Sequence, residues 1–221
     1  LGPLSFQPSE FAKPAVILFL ARTISRREKK KKGMLELFRT LVLILPIVGL
    51  VGTSNLSTAV IILGIAVILV FVSSPFYLPF VGLFGAGAGF MGIFLGLESY
   101  RLERIAIWRD PESYEKGFQT IQGLYAIGSG GLFGTGLGGS IQKLGFVPEA
   151  QNDMIFSIIC EELGLVGAGI LLLLFLVLIW RFFLVSVHAP DLLGSLIAAG
   201  VMGHISIQVI LNVAVVTNTI P

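Results

Sequence analysis

Apolar runs long enough to cross a bilayer recur along this chain, and they leave little room for another architecture. They cover residues 35–51, 56–72, 76–97, 153–187 and 191–216, with a shorter run at 11–24 that crosses once its first turn is added. Only 13% of residues are charged, whereas a soluble domain carries about 25%. With 55% hydrophobic residues and a mean hydropathy of +0.92, too little polar surface remains to cover a water-soluble globule. The pattern predicts an all-α, polytopic membrane bundle of six spans, a single domain over residues 1–221, with one large extracytoplasmic loop at about 98–152.

Orientation follows from charge. Seven of the fifteen basic residues fall within residues 22–33, against one acid, Glu28. Such a cluster marks a cytoplasmic loop, and this topogenic role outweighs a nucleic-acid or anionic-lipid site. The 98–152 loop and both visible ends then lie outside. The chain starts without Met and stops at Pro221, just after an apolar run, so a piece of a longer protein is expected. The single Cys160 leaves no internal disulfide and no cysteine-built metal site. Its apolar surroundings predict a small buried residue.

Polar groups inside such runs are costly and so informative. Pro8 suits the first position of a helix. Glu10 and Lys13 are three apart on one face of it, and Pro14 frees the Glu10 carbonyl. They form either a solvated pair at the boundary or a functional pair. His204, Gln208 and Asn212 recur every four residues on the last run. That polar stripe should point into the bundle, for hydrogen bonds between helices or to line a cavity.

The stretch 118–164 looks least like a span. Residues 98–152 hold no His and no Cys, which disfavours a His/Cys zinc site and Ser/His/Asp chemistry there. Gly134 to Gly139 formally match GxGxxG, but no strand surrounds them. Those glycines instead let backbone amides approach a ligand or a neighbouring helix. Asp153 stands where the loop becomes a span. A carboxylate partly removed from water there is a usable general base, or else a first-turn acid favoured by the helix dipole. Glu161 and Glu162 lie roughly 12 Å deeper, with Glu161 nearer the Asp153 face. Arg101, Arg104, Arg109, Lys116 and Lys143 supply cations near this acid, suited to an anionic, phosphorylated amphiphile.

Several stretches together resemble a known family. They are QPSEFAK (7–13), YRLER (100–104) with WRDP (108–111), GFQTIQGLYAIGSGGLFGTGLGGSIQK (117–143), PEAQND (148–153) and EELG (161–164). The chain resembles the SEDS family of shape, elongation, division and sporulation proteins, which includes FtsW, RodA and SpoVE. Its Gly-rich run is closer to the division/sporulation branch. The resemblance implies about ten membrane helices, more than this chain holds. It also implies a peptidoglycan glycosyltransferase that polymerises lipid II, an undecaprenyl-pyrophosphate-linked disaccharide pentapeptide, at the outer face of the bacterial cytoplasmic membrane. The implied partners are a class B penicillin-binding protein transpeptidase and membrane lipid, with no nucleic acid.

Residue by residue, Asp153 matches the essential acid ending the family's PEAHTD and is the implied catalytic base. Glu10 and Lys13 are implied to line the cavity, and Arg101, Arg104 and Lys143 to meet the pyrophosphate. Gln119, Gln122, Glu149, Gln208 and Asn212 are the remaining substrate-binding candidates. No resident cofactor is implied, and no metal-ligand pattern is visible; a divalent cation, Mg or Mn, could accompany the pyrophosphate. Three positions depart from the family pattern. Asn55 stands where relatives often have the Asp of PDLGT, Gln151 replaces the His of PEAHTD, and Cys160 replaces the Gly of IGEELG. Two other readings remain: a lipid II flippase that uses the intramembrane polar residues as a path, and a non-catalytic scaffold for the transpeptidase.

Overall fold

The computed structural model describes residues 8–27, 39–40, 42–74, 80, 105–146 and 152–220. Among them the regular structure is helical, with no strand. Six helices are used below: α1 (Pro8–Arg27), α2 (Leu45–Ser54), α3 (Leu56–Ser73), α4 (Phe118–Gly130), α5 (Ile155–His188) and α6 (Leu192–Val216). Two of them, α5 and α6, are long and apolar enough to cross a membrane; over Ser57–Ser73 α3 is apolar but shorter. The chain divides into two compact units. One gathers Leu1–Leu83 with Leu178–Gln208, the other Phe84–Val177 with Val209–Pro221.

In the first unit the apolar faces of α1, α3 and α6 meet. On α1 the buried stripe is Lys13, Val16, Ile17, Leu20, Ala21 and Ile24, the three-to-four spacing of one helix face. Ala59, Ile62, Ile65, Ala66 and Leu69 form its counterpart on α3. On α6 a side chain at Gly200 would run into Ile17 and Leu69, and one at Gly203 into Ile68. Missing Cβ atoms thus let the helix backbones close up where no hydrophobic drive from water operates.

The span expected at 35–51 does not run through as one described helix. Residues 43–44 form a turn and α2 restarts at Leu45, with Pro46 in its first turn. Proline has no N–H to continue an incoming helix, but it suits a first turn. The polar interruption after α2 is sharper than its sequence suggests. One residue, Asn55, is extended between α2 and α3, and its side chain accepts the Thr58 N–H at 3.0 Å. The span expected at 76–97, with its run of glycines, lies outside the described residues apart from Phe80.

The stretch expected as one large loop, 98–152, falls in the second unit. Its described part, 105–146, contains a helical turn at 105–109, α4, and 3-10 turns at Pro111–Ser113, Glu115–Gly117 and Gln142–Leu144. Trp108 and Asn218 tie the start of this segment to the end of the chain. The indole N–H donates to the Asn218 carbonyl at 2.9 Å, and the Asn218 amide donates back to the Trp108 carbonyl at 3.2 Å. Asn218 adopts positive φ (53°) to do so, a conformation asparagine tolerates better than most residues. Met154, Phe156, Cys160, Ala168 and Val216 form this unit's apolar core, which puts the lone cysteine in the buried position its sequence context suggested.

Candidate active site

The site grows from the contact of α4 with the first turns of α5. The buried face of α4 is Gly123, Ala126 and Gly130. A side chain at Gly130 would collide with the backbone of Cys160 and Glu161, and one at Gly123 with the end of Met154. The helices therefore touch nearly backbone to backbone at Gly130. Gly131 then turns the chain out of the helix with φ 55°.

Across this contact α5 is broken. Gly164 has φ 68° and ψ −174°, a region open essentially to glycine alone. An unbroken helix would bond the Leu165 N–H to the Glu161 carbonyl and the Val166 N–H to the Glu162 carbonyl. Here all four groups are turned to the glycine-rich loop. Thr135 and Gly136 donate to the Glu161 and Glu162 carbonyls at 2.9 and 3.0 Å, while Leu165 and Val166 donate to the Gly131 and Leu132 carbonyls at 2.9 and 3.1 Å. Four loop bonds replace two helical ones. At Gly134, with φ 79°, a side chain would collide with the Glu162 backbone. Of the two roles open to the GxGxxG run, this geometry is close approach to a neighbouring helix.

The side chains of the two glutamates complete the clip. Glu161 is 3% exposed. One of its oxygens accepts the Ser140 hydroxyl at 2.5 Å and the other the Ile141 N–H at 3.1 Å. The Ser140 hydroxyl in turn accepts the Lys143 N–H at 3.1 Å. Glu162 takes the Lys143 ammonium at 2.5 Å. Lys143, expected at a pyrophosphate, is therefore held by a carboxylate, with its side chain one-third exposed.

Asp153 lies in the turn of residues 152–154, just before α5 begins at Ile155. The helix does not extend back through Asp153, so the helical spacing that set Glu161 nearer its face does not apply there. The Asp153 side chain is exposed on the protein, while Met154 beside it is buried. The turn points one outward and the other into the core. Asn212 of α6 donates its amide to the Asp153 carbonyl at 2.9 Å. Two site candidates far apart in sequence are thus joined, through the backbone of the acid. Gln119 and Gln122 lie half-buried on α4, flanking the glycine face that meets α5.

Other candidates stand elsewhere. Glu10 and Lys13 belong to the first unit, where Lys13 is 1% exposed and pairs with Glu10 at 2.6 Å. This is a buried cation with its own counter-ion, not a fully solvated surface pair. His204, in the same unit, is half-buried on α6, and its buried Nε2 has no hydrogen-bond partner among the described residues. Gln208, one turn further along α6, is exposed. Arg101, Arg104 and Glu149 lie outside the described residues. Among the described residues no three His, Cys, Asp or Glu side chains gather to hold a metal. Ser140 and Gly164 did not emerge from the sequence as site residues. The signal for Gly164 was its place two residues after a pair of glutamates in an apolar run, since a glycine there can end one helix before another begins.

The family model described as cell cycle protein, FtsW/RodA/SpoVE, matches residues 1–221. The chain belongs to this family. It is 41% identical over 235 residues to stage V sporulation protein E of Bacillus subtilis (strain 168), covering all of this chain and 62% of that protein. It is 35% identical over 228 residues to the probable peptidoglycan glycosyltransferase FtsW of Coxiella burnetii, covering all of this chain and 61% of the relative. The chain thus spans about three-fifths of the length of these family members. Among solved structures, a family chain from a peptidoglycan synthase complex, solved to address the coordination of polymerization and crosslinking, aligns with TM-score 0.76 and 29% identity, over 100% of this chain and 62% of that one. The crystal structure of the Thermus thermophilus rod shape determining protein RodA aligns with TM-score 0.61 and 29% identity, over 97% and 55%.

Proposed function

We propose that this chain carries the catalytic site of a peptidoglycan glycosyltransferase that polymerises lipid II at the outer face of the bacterial cytoplasmic membrane. The observation that carries the proposal is Asp153, an exposed carboxylate at the head of an apolar helix, with its backbone fixed by Asn212. Family membership and relatives named as probable peptidoglycan glycosyltransferases support it.

In the proposed reaction the Asp153 carboxylate takes the proton from the sugar 4-hydroxyl of the acceptor lipid II. That oxygen forms a bond to the anomeric carbon of the donor chain. The bond from this carbon to the pyrophosphate breaks, and undecaprenyl pyrophosphate leaves with the electron pair. Asp153 is left protonated and returns its proton to water through its open side. An exposed base suits this step, because the acceptor hydroxyl must come within about 3 Å of it. Arg101 and Arg104 remain the proposed pyrophosphate contacts. Lys143 joins them only by exchanging Glu162 for phosphate. Any divalent cation at this site would arrive on the substrate's pyrophosphate. A class B penicillin-binding protein is the proposed partner, since the structural relative comes from a synthase complex.

The test uses the full-length protein, purified with its cognate transpeptidase and given labelled lipid II. Glycan polymer is the expected product. Lipid II that binds without being polymerised would favour a flippase. A transpeptidase that is activated with no lipid II bound would favour a scaffold.

A further inference from the structure

We propose that Glu161 is a positioning residue for the transfer: it clips the glycine-rich loop, and with it Lys143, to the short helical segment that directly follows Asp153. The inference rests on the proposed role of Asp153. The segment in question is the part of α5 before the break. Asp153 precedes its first turn and Gly164 ends it.

A buried carboxylate in an apolar helix is costly unless its charge is met by donors. Here both oxygens are met, and both donors come from the loop: the Ser140 hydroxyl and the Ile141 N–H. The Ser140 hydroxyl passes the constraint on by accepting the Lys143 N–H, and Glu162 holds the other end of Lys143. The Lys143 backbone is therefore referenced to Glu161 through two hydrogen bonds, and its ammonium to the next residue of the same segment. Asp153 is referenced to that segment through the chain and to α6 through Asn212. An acid just before one end of this short helix and a cation held at its other end keep a set spacing as long as the clip holds. Transfer chemistry depends on such spacing, since a shift of about 1 Å can cost about 100-fold in rate.

Glutamine at 161 keeps the size but turns one acceptor into a donor. It would face two donors, Ser140 and Ile141, with a single acceptor oxygen. Alanine at 140 removes the hydroxyl link to Lys143 and leaves both glutamates in place. Neither change touches the reacting atoms.

The experiment compares wild type, Glu161→Gln, Ser140→Ala and Asp153→Asn in the full-length protein with its cognate transpeptidase. It measures kcat and KM for lipid II polymerisation, the thermal unfolding midpoint, and amide hydrogen exchange over residues 135–143. For Glu161→Gln we expect kcat to fall about 10- to 100-fold, with KM little changed, the midpoint retained and exchange of the loop amides raised. Ser140→Ala should show a smaller drop of the same kind. Wild-type kcat with unchanged loop exchange in Glu161→Gln overturns the proposal. So does a raised KM at constant kcat, which would make Glu161 a substrate contact. If Glu161→Gln does not fold, Ser140→Ala decides by the same criteria. Asp153→Asn separates the two levels of argument: full activity there removes the assigned base, while loop exchange in Glu161→Gln still judges the clip.

Discussion

Replacing Gly164 by alanine tests the broken helix most severely. The alanine Cβ would meet the Gly134 nitrogen and, at 2.5 Å, the Leu132 carbonyl carbon and oxygen. These are backbone atoms, which cannot swing aside as a side-chain tip does. The chain has two ways out. It can keep the break and accept a backbone conformation that costs a non-glycine residue about 1–3 kcal/mol, in addition to pushing the loop away. Or it can close α5 into a continuous helix, which alanine favours by about 1 kcal/mol over glycine. Closure recovers two helical bonds but gives up the four to the loop. The net loss of two bonds is about 2 kcal/mol, and the stranded loop carbonyls and amides add about 1–3 kcal/mol for each group that water cannot reach. Both routes lead to a destabilisation on the order of 3–5 kcal/mol and a loop detached from residues 161–166. The assay is reversible unfolding of the full-length protein in mixed micelles, with hydrogen exchange read at Thr135, Gly136, Leu165 and Val166. A Gly164→Ala protein within about 1 kcal/mol of wild type, with those four amides still protected, would refute the reasoning.

Other consequences follow from the same geometry. Gly130→Ala should be far more damaging than Gly123→Ala, because the first added carbon meets the Cys160 carbonyl and the second only the flexible end of Met154; equal unfolding midpoints for the two variants would contradict the α4–α5 contact. At Asn55 the capping bond to the Thr58 N–H is one that aspartate makes equally well, so Asn55→Asp should be near neutral. Asn55→Ala should cost about 1 kcal/mol, and a chemical-denaturation series of the two variants checks the order.

Much of the fold was legible because membrane helices announce themselves through long apolar runs. The start of α1 at Pro8, the start of α3 next to Asn55 and the bounds of α6 follow closely from local signals. Asp191, for example, caps α6 by accepting the Gly194 N–H at 3.0 Å. The restart at Pro46 was equally local, but hydropathy alone reads across it. The break at Gly164 was not legible in the same way. Its apolar neighbours favour a straight helix, and only hydrogen bonds to residues 131–136, some thirty positions earlier, make the broken form the better one. For the same reason α4 was hidden. Its glycines lower intrinsic helix propensity, and they are kept because α5 needs a surface without side chains.

The candidate site divides along similar lines. Asp153 was visible from its place at the edge of an apolar run, and Asn212 from its helical spacing. Their meeting through the Asp153 carbonyl is a long-range fact. Lys143 read as a free cation because sequence does not reveal that Glu162 holds it. The departure at Asn55 has a structural answer, since the side chain works there as a helix cap, and asparagine and aspartate cap about equally well.

The most direct measurement is the initial rate of lipid II polymerisation by full-length Asp153→Asn against wild type, each purified with the cognate transpeptidase and shown to be folded and bound to it. Asparagine keeps the size of the side chain and the backbone bond to Asn212 but cannot accept the proton. The account predicts that polymer falls by at least about 100-fold, the scale expected when a general base is lost, while lipid II binding is retained. A mutant that polymerises at the wild-type rate would contradict it.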